Sequence, residues 1–293
     1  MKFALAFANT GPFVHPDAAV RFAQAAEAAG FESLWTVEHV VVPANYASTY
    51  PYSDSGKMPG RDDHPIPDPL VWLAYLASAT STIRLATGIL ILAQRQPLIV
   101  AKQLATLDVL SGGRVELGVG VGWLREEYNA LGVSFDDRGR RTDEYVAALR
   151  TLWSEKEASF SGEFTSFTNC ISEPKPLNGQ IPIHVGGHSE VAARRAGRIG
   201  DGFFPIEADH GTLRHLFDVA RSSAEAHGRD PGHLSFTTSG RLAFGERAID
   251  EVGSLNELGV KRVIIPALLF FKDTEAALAT YGSEVIAHCS PSS

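Results

Sequence analysis

Trp35-Thr36-Val37-Glu38-His39 ends a short apolar run with a carboxylate and an imidazole side by side. Histidine titrates near neutrality, so it can trade a proton with a bound group or steady charge that develops on it. Neighbouring residues of an extended segment point to opposite sides, so one of Glu38 and His39 faces a pocket and the other holds the loop that follows. A second candidate is Ile183-His184-Val185-Gly186-Gly187-His188-Ser189-Glu190, an apolar run, a glycine pair and a helix start. Glycines permit close backbone approach, and N–H groups at a helix start attract an anion. The stretch reads as a phosphate site over Gly186, Gly187, His188 and Ser189, with Ser189 as N-cap or ligand, or else as a plain tight turn.

The third candidate is Arg114–Trp123, RVELGVGVGW. A G-x-G-x-x-G dinucleotide fingerprint would need a glycine where Trp123 stands. The stretch alternates instead: Val115, Leu117, Val119 and Val121 on one face, Glu116, Gly118, Gly120 and Gly122 on the other. It reads as a buried strand with one face stripped of side chains. Glu116 shares that face and needs a partner, for which Arg84 and His184 are the candidates. It belongs to a structural polar layer rather than to catalysis.

These residues need elements to hold them. Short apolar runs alternate with helical patterns, as parallel β/α units do. The expected strands are Phe3–Ala8, Ser33–Val37, Ile83–Leu92, the RVELGVGVGW stretch, Ile181–Val185, Gly202–Pro205, Leu234–Ser239 and Arg262–Pro266. Between them run helices from Pro16 to Gly30, from Asp68 (N-cap, with Pro69 at N1), over Leu98–Leu110, Asp143–Trp153, Ser189–Ile199, Thr212–His227 and Glu246–Leu258, and finally Thr274–His288. Eight strands and about eight helices in this length predict one (β/α)8 TIM barrel over residues 1–293, with a doubly wound sheet as the competing architecture. Two insertions interrupt it. One is the proline- and tyrosine-rich segment of residues 40–67 after strand 2, read as a lid with Tyr46, Tyr50 and Tyr52. The other is a hairpin over residues 158–176, between strands 4 and 5.

Composition narrows the function classes. The chain has 293 residues, and 26 Lys plus Arg against 34 Asp plus Glu give a formal net charge of −8. That balance leaves no electrostatic footprint for nucleic acid or an anionic membrane. The N-terminal apolar run is too short and too alternating for a signal peptide, and none is long enough to span a bilayer. Cys170 and Cys289 are far apart and in no metal-ligand spacing, so reduced thiols, no metal and a cytoplasmic location are expected.

Four segments carry a resemblance over essentially the whole chain: TVEHVVVP (36–43), ATGILIL (86–92), AKQLATLDVLSGGRVELGVGVGW (101–123) and IPIHVGGHSEVAARRAGRIGDGFFP (181–205). They resemble the bacterial luciferase-like monooxygenase superfamily. The Glu-His pair with PYSDSG and IPDPLVWLAYLA looks most like its deazaflavin (coenzyme F420)-dependent oxidoreductase branch, although FMN enzymes share nearly all of these motifs. The resemblance implies a flavin or deazaflavin at the C-terminal mouth of the barrel. Its ring would lie over Thr87, Gly88 and Ile89 with a cis Gly88–Ile89 bond, Gly120 and Gly122 would make room for it, and Gly186 to Ser189 would hold its phosphate. His39, paired with Glu38, becomes the group nearest the ring, and Tyr46, Tyr50, Tyr52 and Trp123 suggest an aromatic, largely apolar substrate pocket.

There are departures from the sugar-phosphate dehydrogenases of that branch. Val40, Val41 and Val42 follow His39 where those enzymes soon place a Trp, and Trp123 stands where they place a Glu. This argues against a sugar phosphate and removes the acid those enzymes keep near their substrate. The functions implied are hydride transfer with F420 on a small-molecule substrate, monooxygenation with FMN fed by a separate reductase, or a flavin carrier without chemistry. The resemblance also implies a homodimer.

Overall fold

The computed structural model describes residues 1–206, 209–239 and 245–289. Eight parallel strand positions close on one another. They are β1 (Lys2–Ala6), β2 (Ser33–Thr36), the pair β3 (Arg84–Thr87) and β4 (Leu90–Ile91), β5 (Val115–Gly120), β8 (Ile183–Gly186), β9 (Gly202–Phe204), β10 (Ser235–Ser239) and β11 (Val260–Pro266). The order is β3-β2-β1-β11-β10-β9-β8-β5, and pairing of β3 with β5 closes the ring. This is the (β/α)8 barrel that the alternation predicts. Between β5 and β8 an antiparallel hairpin, β6 (Ala158–Ser161) and β7 (Ser166–Cys170), leaves the barrel.

The helices are α1 (Pro16–Ala28), α2 (Pro69–Ala77), α3 (Pro97–Ser111), α4 (Arg125–Ala130), α5 (Arg138–Ser154), α6 (Glu190–Ile199), α7 (His210–Ala226), α8 (Glu246–Glu257), α9 (Thr274–Tyr281) and α10 (Ala287–Cys289). Their local signals are legible. Asp68 caps α2 by accepting from the N–H groups of Leu70 and Val71 at 2.9 and 3.0 Å, and Gly112, in the left-handed region at φ 72°, ends α3.

Three expectations are corrected, and one helix is added. The strand read as Ile83–Leu92 is two pieces, because Gly88 and Ile89 leave the ladder. β3 pairs with the first half of β5 (Leu85 with Val115) and β4 with its second half (Leu90 with Val119). The helix read from Asp143 begins five residues earlier, at Arg138. Its first turn is glycine-bearing and charged, and a local contact with the residues before it supports it: the Arg138 guanidinium lies 3.7 Å over the Phe135 ring. Helix α4, six residues long, is too short to show an apolar period. The last helix is interrupted by a π turn over Gly282–Ile286 between α9 and α10.

Inside the barrel, Trp35 is fully buried among Ala4, Ala6, Ala86, Phe204 and Ile264. Small neighbours leave room for the large ring, as interior close packing requires. Beneath it lies the polar layer. Glu116 accepts from Arg84 Nε at 2.5 Å and from Arg262 Nη2 at 3.0 Å, and His184 Nε2 stands 2.9 Å away. Both expected partners are therefore present, and Arg262, itself paired with Glu32 at 2.9 Å, is a third. Burial alone would push the Glu116 carboxyl up; His184 and the two guanidiniums outweigh it and hold the group well below the usual carboxylate range.

Candidate active site

The site is built where the chain leaves β2. Asn9, fully buried just after β1, donates from Nδ2 to the carbonyls of Val37 and Pro67 at 2.9 and 3.0 Å and accepts from the Val37 N–H at 2.9 Å. One side chain thus clamps both feet of the segment of residues 40–67. Glu38 and His39 then part, as the extended geometry demands. The buried Glu38 accepts from Ile91 N–H at 2.6 Å and from Arg95 Nε at 2.8 Å, and Arg95 reaches on to Asp68 at 2.8 Å. Its carboxylate is engaged in holding the loops after β2 and β4 together. The pair therefore does not act as one unit.

His39 turns to α4. Its Nδ1 lies 3.0 Å from Glu127 Oε2, and the Glu127 side chain has no exposed surface. The other carboxylate oxygen, Oε1, accepts from the N–H groups of Val40 and Val41 at 2.6 and 3.3 Å. The preceding residue repeats the device further along the segment. Glu126 accepts from Ala47 N–H at 2.8 Å, Ser48 N–H at 3.1 Å and Ser48 Oγ at 2.7 Å. The Ser48 hydroxyl, joined by backbone N–H groups, lowers the Glu126 carboxyl to about 2. Sequence reasoning missed Glu126 and Glu127. Two consecutive carboxylates in the first turn of a helix, where the dipole favours them, were the available signal.

Above His39 the aromatic residues gather. The Trp123 ring meets His39 edge-on at 5.8 Å, Tyr46 at 5.3 Å and Tyr50 at 5.1 Å. Tyr50 meets Tyr52 at 5.3 Å, and Tyr52 meets His188 at 4.8 Å. The four aromatics singled out in the sequence thus come together and bridge from the end of β2 to the turn after β8. Tyr46 is buried and its hydroxyl accepts from Met58 N–H at 3.1 Å, so it serves the segment's own fold. Burial pushes the Tyr50 phenol up to about 12.

The glycine face of β5 is not vacant. A Cβ on Gly118 would lie 2.0 Å from the Thr87 carbonyl oxygen, one on Gly120 2.5 Å from Ile89 Cδ1, and one on Gly186 2.6 Å from Ile89 Cγ2. The room left by these glycines belongs to Thr87 and Ile89, which correct the reading of a strand kept bare for a ligand. Gly88–Ile89 is a cis peptide, as the resemblance implies. Ile89 is only partly buried, unlike Leu85, Ala86, Thr87 and Leu90 around it. Gly122 lies past the strand's end with φ 69° and serves the turn into Trp123.

At the other end of the aromatic bridge, Gly187 has φ 125° and donates its N–H to Phe204 O at 3.1 Å. Ser189 Oγ accepts from Ala192 N–H at 3.3 Å, so of the two readings Ser189 takes the N-cap. α5 starts beside α6: a Cβ on Gly139 would lie 2.8 Å from Arg195 Nη2 of that helix. The Nε groups of Arg138 and Arg141 are buried without a hydrogen-bond partner among the described residues.

A cavity of about 300 Å³ touches Glu38 and His39 from the side of Ile66, Gln94 and Arg95. A wider groove of about 790 Å³ lies on the outer wall between α1 and α9, away from these residues. Among the described residues no helix is long and apolar enough to cross a membrane, and no cluster of His, Cys, Asp and Glu is arranged to hold a metal ion.

Comparison with known proteins places this geometry. An uncharacterized protein of Mycobacterium tuberculosis is 34% identical over 247 residues, covering 84% of this chain and 83% of that one. The FMNH2-dependent dimethylsulfone monooxygenase of Pseudomonas fluorescens is 34% identical over 209 residues (70% of this chain, 52% of that one). The F420-dependent glucose-6-phosphate dehydrogenase of Kineococcus radiotolerans is 32% identical over 233 residues (77% and 63%). The F420-dependent tetrahydromethanopterin reductase of Methanopyrus kandleri shares the fold, with a TM-score of 0.78 at 17% identity over 99% of both chains. The family description of luciferase-like monooxygenases matches residues 3–256, and the chain belongs to that family.

Proposed function

We propose that this protein is an F420-dependent oxidoreductase that moves a hydride between the deazaflavin and a small apolar or aromatic substrate at the mouth of the barrel. The observation that carries the reading is His39, held against the buried Glu127 and under Trp123 where strands β2 and β5 end. The chain's residues fit such a cofactor at two places. Ile89 offers a partly open apolar platform for a flat ring, next to Thr87 and Gly88 in the chain and with Gly120 and Gly186 behind it. The turn of Gly186, Gly187, His188 and Ser189 opens α6, where the N–H groups of the first turn would meet a phosphate.

When bound, the deazaflavin supplies the ring carbon that carries hydride. The protein's part is orientation and dryness. Asn9, Glu126 and Glu127 hold the segment of residues 40–67 over the mouth; Tyr50, Tyr52 and Trp123 present an apolar wall to the substrate; His39 steadies the charge that develops on it and holds or accepts the proton. We place the enzyme in the cytoplasm as a homodimer, with its cofactor recycled by a separate reductase.

A second reading is an FMN-dependent monooxygenase that uses reduced flavin and O2, supported by the identity to the dimethylsulfone monooxygenase. Titration of the purified protein with F420 and with FMN, followed by fluorescence, separates the two. Saturable micromolar binding of F420 is expected. Micromolar FMN binding with no response to F420 overturns the first reading. If the protein only carries flavin, His39→Ala leaves any measured turnover untouched.

A further inference from the structure

We propose that Glu127 is the positioning residue of this site: it keeps the His39 proton on Nδ1 and thereby makes Nε2 the atom that faces the chemistry. The consequence for turnover rests on the role given to His39 above, whereas the proton position is a property of the protein alone.

The argument starts from the donor and acceptor balance. A buried carboxylate is tolerated when its oxygens are fully hydrogen-bonded. Glu127 meets that condition with two backbone N–H groups on Oε1, from Val40 and Val41, and with the His39 ring on Oε2. An ionised carboxylate only accepts, so His39 Nδ1 must be the donor. A neutral imidazole carries a single N–H, which leaves Nε2 with a free lone pair. Among the described residues the ring's hydrogen bond is the one on Nδ1, and the side chain keeps 10% of its surface exposed. The Trp123 ring, edge-on at 5.8 Å, fixes the plane in which Nε2 is presented.

Glu126 supplies the internal control. It anchors the same segment through backbone N–H groups and a hydroxyl, and it touches no imidazole. Anchoring the segment is therefore shared by both carboxylates, and holding the histidine proton is particular to Glu127.

The test is Glu127→Gln. Its carboxamide oxygen can still accept from Val40 and Val41, which keeps the segment in place. The NH2 group then faces His39 Nδ1, which must accept, and the ring proton moves to Nε2. Long-range ¹⁵N–¹H spectra of the histidine-labelled, cofactor-free protein read this directly, with the His39 signals identified by their loss in His39→Asn. The expected result is an Nδ1–H tautomer in the wild type and in Glu126→Gln, and an Nε2–H tautomer in Glu127→Gln. Turnover in Glu127→Gln is expected to fall about 100-fold in kcat with cofactor KM within about threefold. An Nε2–H tautomer in the wild type overturns the proposal without any variant. So does an unchanged tautomer in Glu127→Gln, or a Glu126→Gln spectrum that changes equally. An inverted tautomer with undiminished turnover supports the hold of Glu127 on His39 and removes His39 from the reaction, which keeps the two readings separable.

Discussion

Two histidines in this barrel stand against buried glutamates, one at the floor and one at the mouth. At the floor His184 lies 2.9 Å from Glu116; at the mouth His39 lies 3.0 Å from Glu127. The pairs look alike, and their surroundings separate them. Glu116 is also gripped by Arg84 and Arg262, and the His184 ring is packed edge-on against Trp35 at 5.4 Å. The two guanidiniums compensate the buried carboxylate and join β3, β5 and β11, so this network holds strands together. Glu127 has backbone N–H groups and no guanidinium among its hydrogen-bond partners, and its histidine keeps an open nitrogen beside a cavity. On the proposed function, the same two side chains serve structure where guanidiniums join the carboxylate in the interior and serve chemistry where the histidine borders a cavity.

The largest effect that tests this contrast is on stability. Glu116→Gln takes the carboxylate away from Arg84 and from the buried Arg262, which is left with Glu32, and is expected to cost about 3–5 kcal/mol in denaturant unfolding. A loss below about 1 kcal/mol would mean the floor network holds little together. The counterpart at the mouth is His39→Ala, expected to lower kcat/KM by about 100-fold while the unfolding free energy stays within about 1 kcal/mol of wild type. If both substitutions act mainly on stability, the division between floor and mouth is wrong.

A smaller effect is expected from Gly120→Ala. The added methyl would meet the Ile89 side chain at 2.5 Å, an overpacking that costs about 1–3 kcal/mol. Cofactor affinity reads it separately from stability: displacement of Ile89 should weaken binding of whichever flavin the titration identifies, and unchanged affinity would show that Ile89 is not its platform.

The smallest effect is one of pH. Glu126 titrates at about 2 in the folded protein against an ordinary 4.5, so its anchoring of residues 40–67 is complete above about 4.5 and is lost as pH falls toward 2. Glu116 is depressed as well, so its contribution is likewise full above the ordinary value and declines as pH falls below it. The barrel has a closed ring of strands besides Glu116, whereas the segment hangs on a few carboxylate and amide contacts. Acidification should therefore release the segment at the mouth before the barrel opens. Pepsin cleavage within residues 40–67 near pH 3, at unchanged far-ultraviolet circular dichroism, is the expected outcome; simultaneous loss of both signals would contradict the order.

Much of the fold was legible because its signals are local. Period-two apolar runs, Pro16 and Pro69 at helix starts, the Asp68 cap and Gly112 at a helix end each act within a few residues. The Glu38-His39 pair, the glycine turn after β8 and the aromatic segment were also visible as residue types in suitable places. Their relations were not. The division of labour between Glu38 and His39 depends on Arg95 and Glu127, which lie 57 and 88 residues away in the chain.

RVELGVGVGW shows the same limit. By itself the sequence determined that one face of β5 carries no side chains beyond Glu116, because alternation in a strand is a property of the backbone. Only the tertiary structure decided what enters that space. β3 and β4 part at Gly88–Ile89, and Ile89 lodges between Gly120 and Gly186, two glycines from different strands. Contacts between strands and loops distant in sequence settle which side chain fills a gap and which carboxylate meets which histidine. They depend on the closed ring of the barrel, which no short stretch of the chain encodes.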